Sequence, residues 1–101
     1  MKSAKYQEAM FSLIEELIDR LSRRTTAFVS HDAIASAYRR DPVVEPILVR
    51  RQNRLKKWHP LEWLASNDVQ WFSAKYSTGA LPTAGRFIRS RVNGKWAYRS
   101  V

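Results

Sequence analysis

Apolar residues at Tyr6, Met10, Leu13, Ile14, Leu17 and Leu21 recur at spacings of three and four, and Phe11 and Ile18 widen the same face. This predicts an amphipathic helix over residues 3–23. Its basic end at Arg20, Arg23 and Arg24 complements the helix dipole. Thr25 to Val29 are mostly strand-favouring, so a short strand is expected there, and Ser30 offers a side-chain oxygen to cap a second helix. That helix carries Ala33, Ile34, Ala37 and Tyr38 and stops near Arg40, because Pro42 disfavours helical geometry at Asp41. A third helical stretch opens near Pro46 and runs through Ile47, Leu48 and Leu55, with Trp58 as its outer limit. Pro60 opens a further turn through Leu61 and Leu64, and Ser66, a capping residue, predicts a break before a fresh helix.

Over residues 66–76, Val69, Phe72 and Tyr76 form a core-facing stripe, while Asn67, Gln70, Trp71, Ser73 and Lys75 occupy the other side. Thr78 and Gly79 supply a stop, and residues 80–85 with Pro82 read as a loop. The segments 87–92 and 95–101 flank Asn93-Gly94, the dipeptide best suited to the two positive φ angles of a tight hairpin turn. A two-residue turn sets Arg91 opposite Trp96 and Arg89 opposite Tyr98 on one face. The other face holds Ile88, Val92 and Ala97 with Lys95 and Arg99, and the pattern leaves open which face meets the core.

A length of 101 residues fits a single domain over 1–101. The net charge is +9, yet 45% apolar and 12% aromatic content is too high for a disordered basic tail. The charge is uneven: residues 1–19 sum to −2, and beyond Asp68 there is no acid while Lys75, Arg86, Arg89, Arg91, Lys95 and Arg99 follow. Such a segment needs an anionic partner or open water. The absence of cysteine excludes disulfides, thiolate metal sites and cysteine nucleophiles. Acids near the amino terminus and the lack of a long apolar run point to a cytoplasmic setting with no membrane association.

Catalytic chemistry finds no foothold in the spacing. His31 and His59 lie in no metal-ligand pattern and read as helix-opening residues, and neighbouring Ser30, His31 and Asp32 cannot be expected to converge as a triad. Glu15, Glu16 and Asp19 read as an exposed solubilising face, and the scattered glycines form no phosphate cradle. A non-enzymatic protein without metal or cofactor is expected. Trp58, Trp63, Trp71 and Trp96 could stack on unpaired bases, but most are expected in the core, with Trp71 partly exposed. Arg50, Arg51 and Arg54 belong to a basic stretch that winds around its helix, so some of its members must point away from any single ligand.

Helix, short strand, helices and a carboxy-terminal hairpin make an α+β, mainly helical order. It resembles the winged helix-turn-helix family through Phe28-Val29-Ser30-His31-Asp32, the Ser66 to Ser73 segment, and the hairpin Arg91-Val92-Asn93-Gly94-Lys95-Trp96-Ala97-Tyr98. The longer basic stretch after the second helix departs from the simplest member and leaves open which helix pair forms the helix-turn-helix. The resemblance implies duplex DNA binding, as in a transcriptional regulator or a phage or mobile-element protein. Asn67, Gln70, Trp71, Ser73 and Lys75 would then face a groove, and Arg89, Arg91, Lys95 and Arg99 would be wing contacts. Arg50, Arg51 and Arg54 are candidate phosphate contacts. Competing readings are a protein-interaction module for an acidic partner, and single-stranded DNA or RNA binding through exposed aromatics. Pairing of two protomers through Leu13 and Leu17 of the first helix would suit a palindromic site.

Overall fold

A computed structural model describes the backbone of residues 2–24, 27–79, 81 and 86–101, with side chains from Glu8 onward. The expectations for Tyr6, Thr25, Thr26, Ala80 and residues 82–85 lie outside the described residues. The chain runs α1 (Lys2–Ser22), α2 (His31–Arg39), α3 (Val44–Arg54), α4 (Leu61–Ser77), β1 (Phe87–Val92) and β2 (Lys95–Ser100).

The apolar stripe of α1 does what its spacing predicts: Met10, Phe11, Ile14, Leu17 and Ile18 are buried in one cluster with residues of every other element. Leu17 is therefore spent on the core, which corrects its assignment to a pairing surface; Leu13 packs at the cluster's edge. Glu15 is also buried, and Asp19 accepts hydrogen bonds from Arg86 and the Ser100 hydroxyl, so this side of α1 is not merely a solvated face.

Ser30 caps α2 by accepting from the Ala33 amide at 3.1 Å. At the start of α3, Asp41 Oδ1 accepts from the Val43 amide at 2.9 Å and the Val44 amide at 3.3 Å. The helix thus begins two residues before Pro46, which falls in the first turn where its missing amide hydrogen costs nothing. It ends at Arg54 because Leu55 is extended, so Trp58 lies outside it.

Pro60 precedes α4, which continues through Ser66 without the expected break. The Ser66 hydroxyl lies 2.8 Å from His31 Nε2, so it serves α2 instead of capping a new helix. Leu64, Ala65, Val69, Phe72 and Tyr76 form one unbroken buried stripe.

Asn93 at φ 53° and Gly94 at φ 78° make the two-residue turn, and the register places Arg91 against Trp96 and Arg89 against Tyr98. Both positions need the left-handed region, which Asn and Gly tolerate best. Burial of Phe87 and Tyr98 shows that this cation–aromatic face meets the core, while Ile88 and Val92 stay exposed on the other. On its far side β2 is bridged by Val29, whose amide donates to Tyr98 O at 2.7 Å. The predicted strand is thus a single bridge among the described residues.

Three helices are joined by one carboxylate. Asp68 of α4 is buried, accepts from Arg51 of α3 at 2.7 and 3.1 Å, and accepts from the Tyr38 hydroxyl of α2 at 2.8 Å. Replacing Asp68 by Ala removes the shared acceptor and is expected to lower stability by about 3 kcal/mol, while Tyr38→Phe should cost about 1 kcal/mol. Urea unfolding of the two variants beside the wild type checks both the size and the order.

Candidate nucleic-acid interface

The outward side of α4 is a line of Trp63, Asn67, Gln70, Ala74 and Ser77, with Asn67 half-buried and the rest exposed. The hairpin stands beside it because the Tyr76 hydroxyl donates to Phe87 O at 3.1 Å and accepts from the Phe87 amide at 3.0 Å. These two bonds pin the start of β1 to the last turns of α4. Phe72, Tyr76, Phe87 and Tyr98 then pack ring against ring, mostly edge to face, at centroid separations of 5.8–6.1 Å.

Above this aromatic joint the hairpin carries a stacked tier. The Arg89 guanidinium lies 4.1 Å and that of Arg91 4.6 Å from the Trp96 ring centroid, and Arg89 is also 4.9 Å from the Tyr76 ring. Arg89 donates to Ser77 Oγ at 2.7 Å, and Arg91 donates to Gly94 O at 2.9 Å. Cation–π contact and hydrogen bonding hold both cations in place while leaving their charge unneutralised.

Between α4, the start of α2 and the hairpin tip runs a cleft lined by His31, Gln70, Ser73, Gly94, Lys95 and Trp96. A neighbouring depression is lined by Ser30, Asp32, Val92 and Asn93 together with His31 and Lys95. Lys95 reaches across it to Asp32 at 3.4 Å, an exposed pair of little energetic weight. Gln70 and the basic hairpin tip are therefore brought to one surface.

Other sequence candidates are used differently. Ser73 is buried and its hydroxyl accepts from Tyr98 at 2.7 Å, which overturns its outward assignment: the space beneath the hairpin needs a partner for the tyrosine hydroxyl. Arg51 turns inward to Asp68, so its charge holds helices together. Arg99 stacks 5.2 Å from the Phe28 ring on the opposite face of the hairpin from Arg89 and Arg91. Arg50 and Arg54 are exposed on α3, and Lys75 is half-buried on α4. Trp71 is 36% exposed and meets Phe11 edge to face at 5.2 Å.

None of the four tryptophans is buried, contrary to the expectation that most would be structural. Trp58 is 69% exposed and Trp63 42% exposed, more than Trp71. Trp58 misleads because the apolar spacing from Ile47 carries on to it, whereas the helix stops at Arg54.

Among the described residues, no group of three His, Cys, Asp or Glu could hold a metal ion, and no helix is long and apolar enough to cross a membrane. The chain matches no protein-family model, no curated protein and no solved structure.

His31 opens α2 at the floor of the cleft. Burial, and secondarily the Lys95 charge, lower its pKa below the usual 6.5, against an opposing pull from Asp32. The positive end of the α2 dipole also disfavours its protonation. A lowered folded pKa means that its contribution to stability is complete above about 6.5 and is lost as pH falls through the folded value. The loss of stability between about pH 7.5 and about pH 5.5 should be larger for the wild type than for His31→Gln, which keeps a partner for Ser66. Urea midpoints at the two pH values measure the difference.

Proposed function

We propose that this chain is a nucleic-acid-binding domain of winged-helix type that docks on duplex DNA without catalysing a reaction. The observation that carries the reading is the cleft in which Gln70 meets Lys95 and Trp96, the ring on which Arg89 and Arg91 are stacked. Oriented guanidinium groups suit phosphate oxygens, and a carboxamide can both give and receive hydrogen bonds at a base edge. The order of α2, α4 and hairpin, with Val29 bridging β2, supports the family resemblance in architecture.

In this reading α4 enters the major groove through Asn67 and Gln70, and the hairpin rests on the adjacent backbone through Arg91 and Lys95. Association begins electrostatically, because neutralising phosphates releases condensed counterions. Asp32 works against that attraction at the edge of the cleft and holds Lys95 only weakly. The pairing of Arg51 with Asp68 removes it from the phosphate contacts, and Arg99 is stacked on the Phe28 ring and does not line the cleft.

The test is a titration against duplex DNA over a series of salt concentrations. Affinity should fall steeply with salt, and the double variant Arg91→Ala plus Lys95→Ala should bind more weakly with the log–log slope reduced by about 2. Both side chains are exposed, so folding should be retained; Arg89, wedged between Tyr76 and Trp96, is a poorer choice. Asp32→Asn should tighten binding severalfold. A salt-independent affinity, or a double variant that binds as the wild type does, would count against the reading.

A further inference from the structure

The α3–α4 corner is a second cluster of aromatics and cations. Trp58 and Trp63 are more exposed than the other tryptophans, and the His59 and Trp63 rings stack at 3.8 Å with only 12° between their planes. Gln52 Nε2 donates to His59 O at 2.8 Å, which ties the connecting segment to α3. Arg54, Lys56 and Lys57 are exposed alongside, and none makes an ion pair among the described residues. The nearest acid in sequence, Glu62, lies 2.8 Å from Arg39 Nε of α2 and so faces away from these cations.

We propose that this corner is a stacking site for an unpaired nucleobase whose flanking phosphates meet Arg54, Lys56 and Lys57. The proposal rests on the nucleic-acid reading above and deepens it: the favoured ligand is a duplex that carries a short single-stranded end. An unpaired base offers an open π face, whereas bases inside a duplex are already covered by their neighbours. Stacking on indole tolerates any base, and the exposed cations nearby in the chain supply charge for its phosphates. An acidic peptide would engage the cations and leave the ring faces idle.

The corner and the cleft belong to one helix. Trp63 and Gln70 are seven positions apart on α4, both exposed, and two turns of helix separate them by about 10 Å on the same side. Duplex held at the hairpin and α4 would therefore have its frayed or overhanging end within reach of Trp63.

The deciding measurement compares a blunt duplex with the same duplex carrying a short oligothymidine overhang, for the wild type and for Trp58→Ala plus Trp63→Ala. The wild type should prefer the overhang by at least about fivefold, the equivalent of one stacked base. The double variant should lose that preference, and Trp58→Ala alone, outside α4, should lose part of it while keeping its affinity for the blunt duplex. Lys56→Ala plus Lys57→Ala, which leaves the rings untouched, should reduce the preference in part. Equal wild-type affinities for the two ligands, a preference that survives the tryptophan variant, or an equal loss on both ligands would overturn the stacking site while leaving duplex binding intact. Failure to bind either duplex would overturn the nucleic-acid reading itself.

Discussion

The Asp68 carboxylate sits where α2, α3 and α4 meet, and the direction in which α4 presents its outer side follows from how that charge is satisfied. Arg51 supplies a two-pronged ion pair and Tyr38 a neutral hydrogen bond, so both oxygens are engaged without water. Removing a buried charge's partner is costly, and alternative rotations of α4 would do that. Rotating the helix to bury Gln70 would also withdraw Asp68 from Arg51 and Ser66 from His31. The carboxylate thus specifies which residues of α4 remain outside, and with them the floor of the cleft.

A comparable constraint sets the hairpin. Tyr76 gives and receives one hydrogen bond with the backbone of Phe87, and the Tyr98 hydroxyl donates to Ser73. Burial pushes the Tyr98 hydroxyl pKa up, so it remains a neutral donor across ordinary pH. At the outer end of β1 and β2, Asp19 of α1 accepts from Arg86 and Ser100. The hairpin is held by its base on both sides, and its tip, with Lys95, lies beside the start of α2.

Local chemistry made much of this legible before the structure. Asn93-Gly94 dictated the turn and register, Ser30 capped α2 as its side chain allows, and the spacing in α1 picked out the buried residues. What escaped was the use of polar groups across elements. Ser66 has the chemistry of a cap, but His31, 35 positions away, takes its hydroxyl; Ser73 looks outward on a helical wheel until Tyr98 arrives above it. Arg51 differs from Arg50 and Arg54 only in the direction it faces, and no sequence rule assigns it to Asp68. The candidate surface was therefore readable as residue types, with Gln70 and Lys95 brought to one cleft, Ser73 lining it with its hydroxyl taken by Tyr98, and Arg51 and Arg99 drawn elsewhere.

The distribution of acids leaves Arg89 and Arg91 of the hairpin and Arg54, Lys56 and Lys57 of the α3–α4 corner without an ion pair among the described residues. Asp19, Asp32, Glu45, Glu62 and Asp68 each stand beside a Lys or Arg of another segment, with Arg39 serving both Glu45 and Glu62. Arg89 and Arg91 at the hairpin have the Trp96 ring as neighbour where an acid would otherwise stand, and at the α3–α4 corner Trp58 directly follows Lys56 and Lys57 in the chain. An aromatic ring steadies a cation without cancelling its long-range field, whereas a carboxylate does both. The two ends of the outer side of α4 consequently keep an attraction for polyanions that the total charge alone would not localise, and Trp63 and Trp96 are the flat surfaces nearest to it.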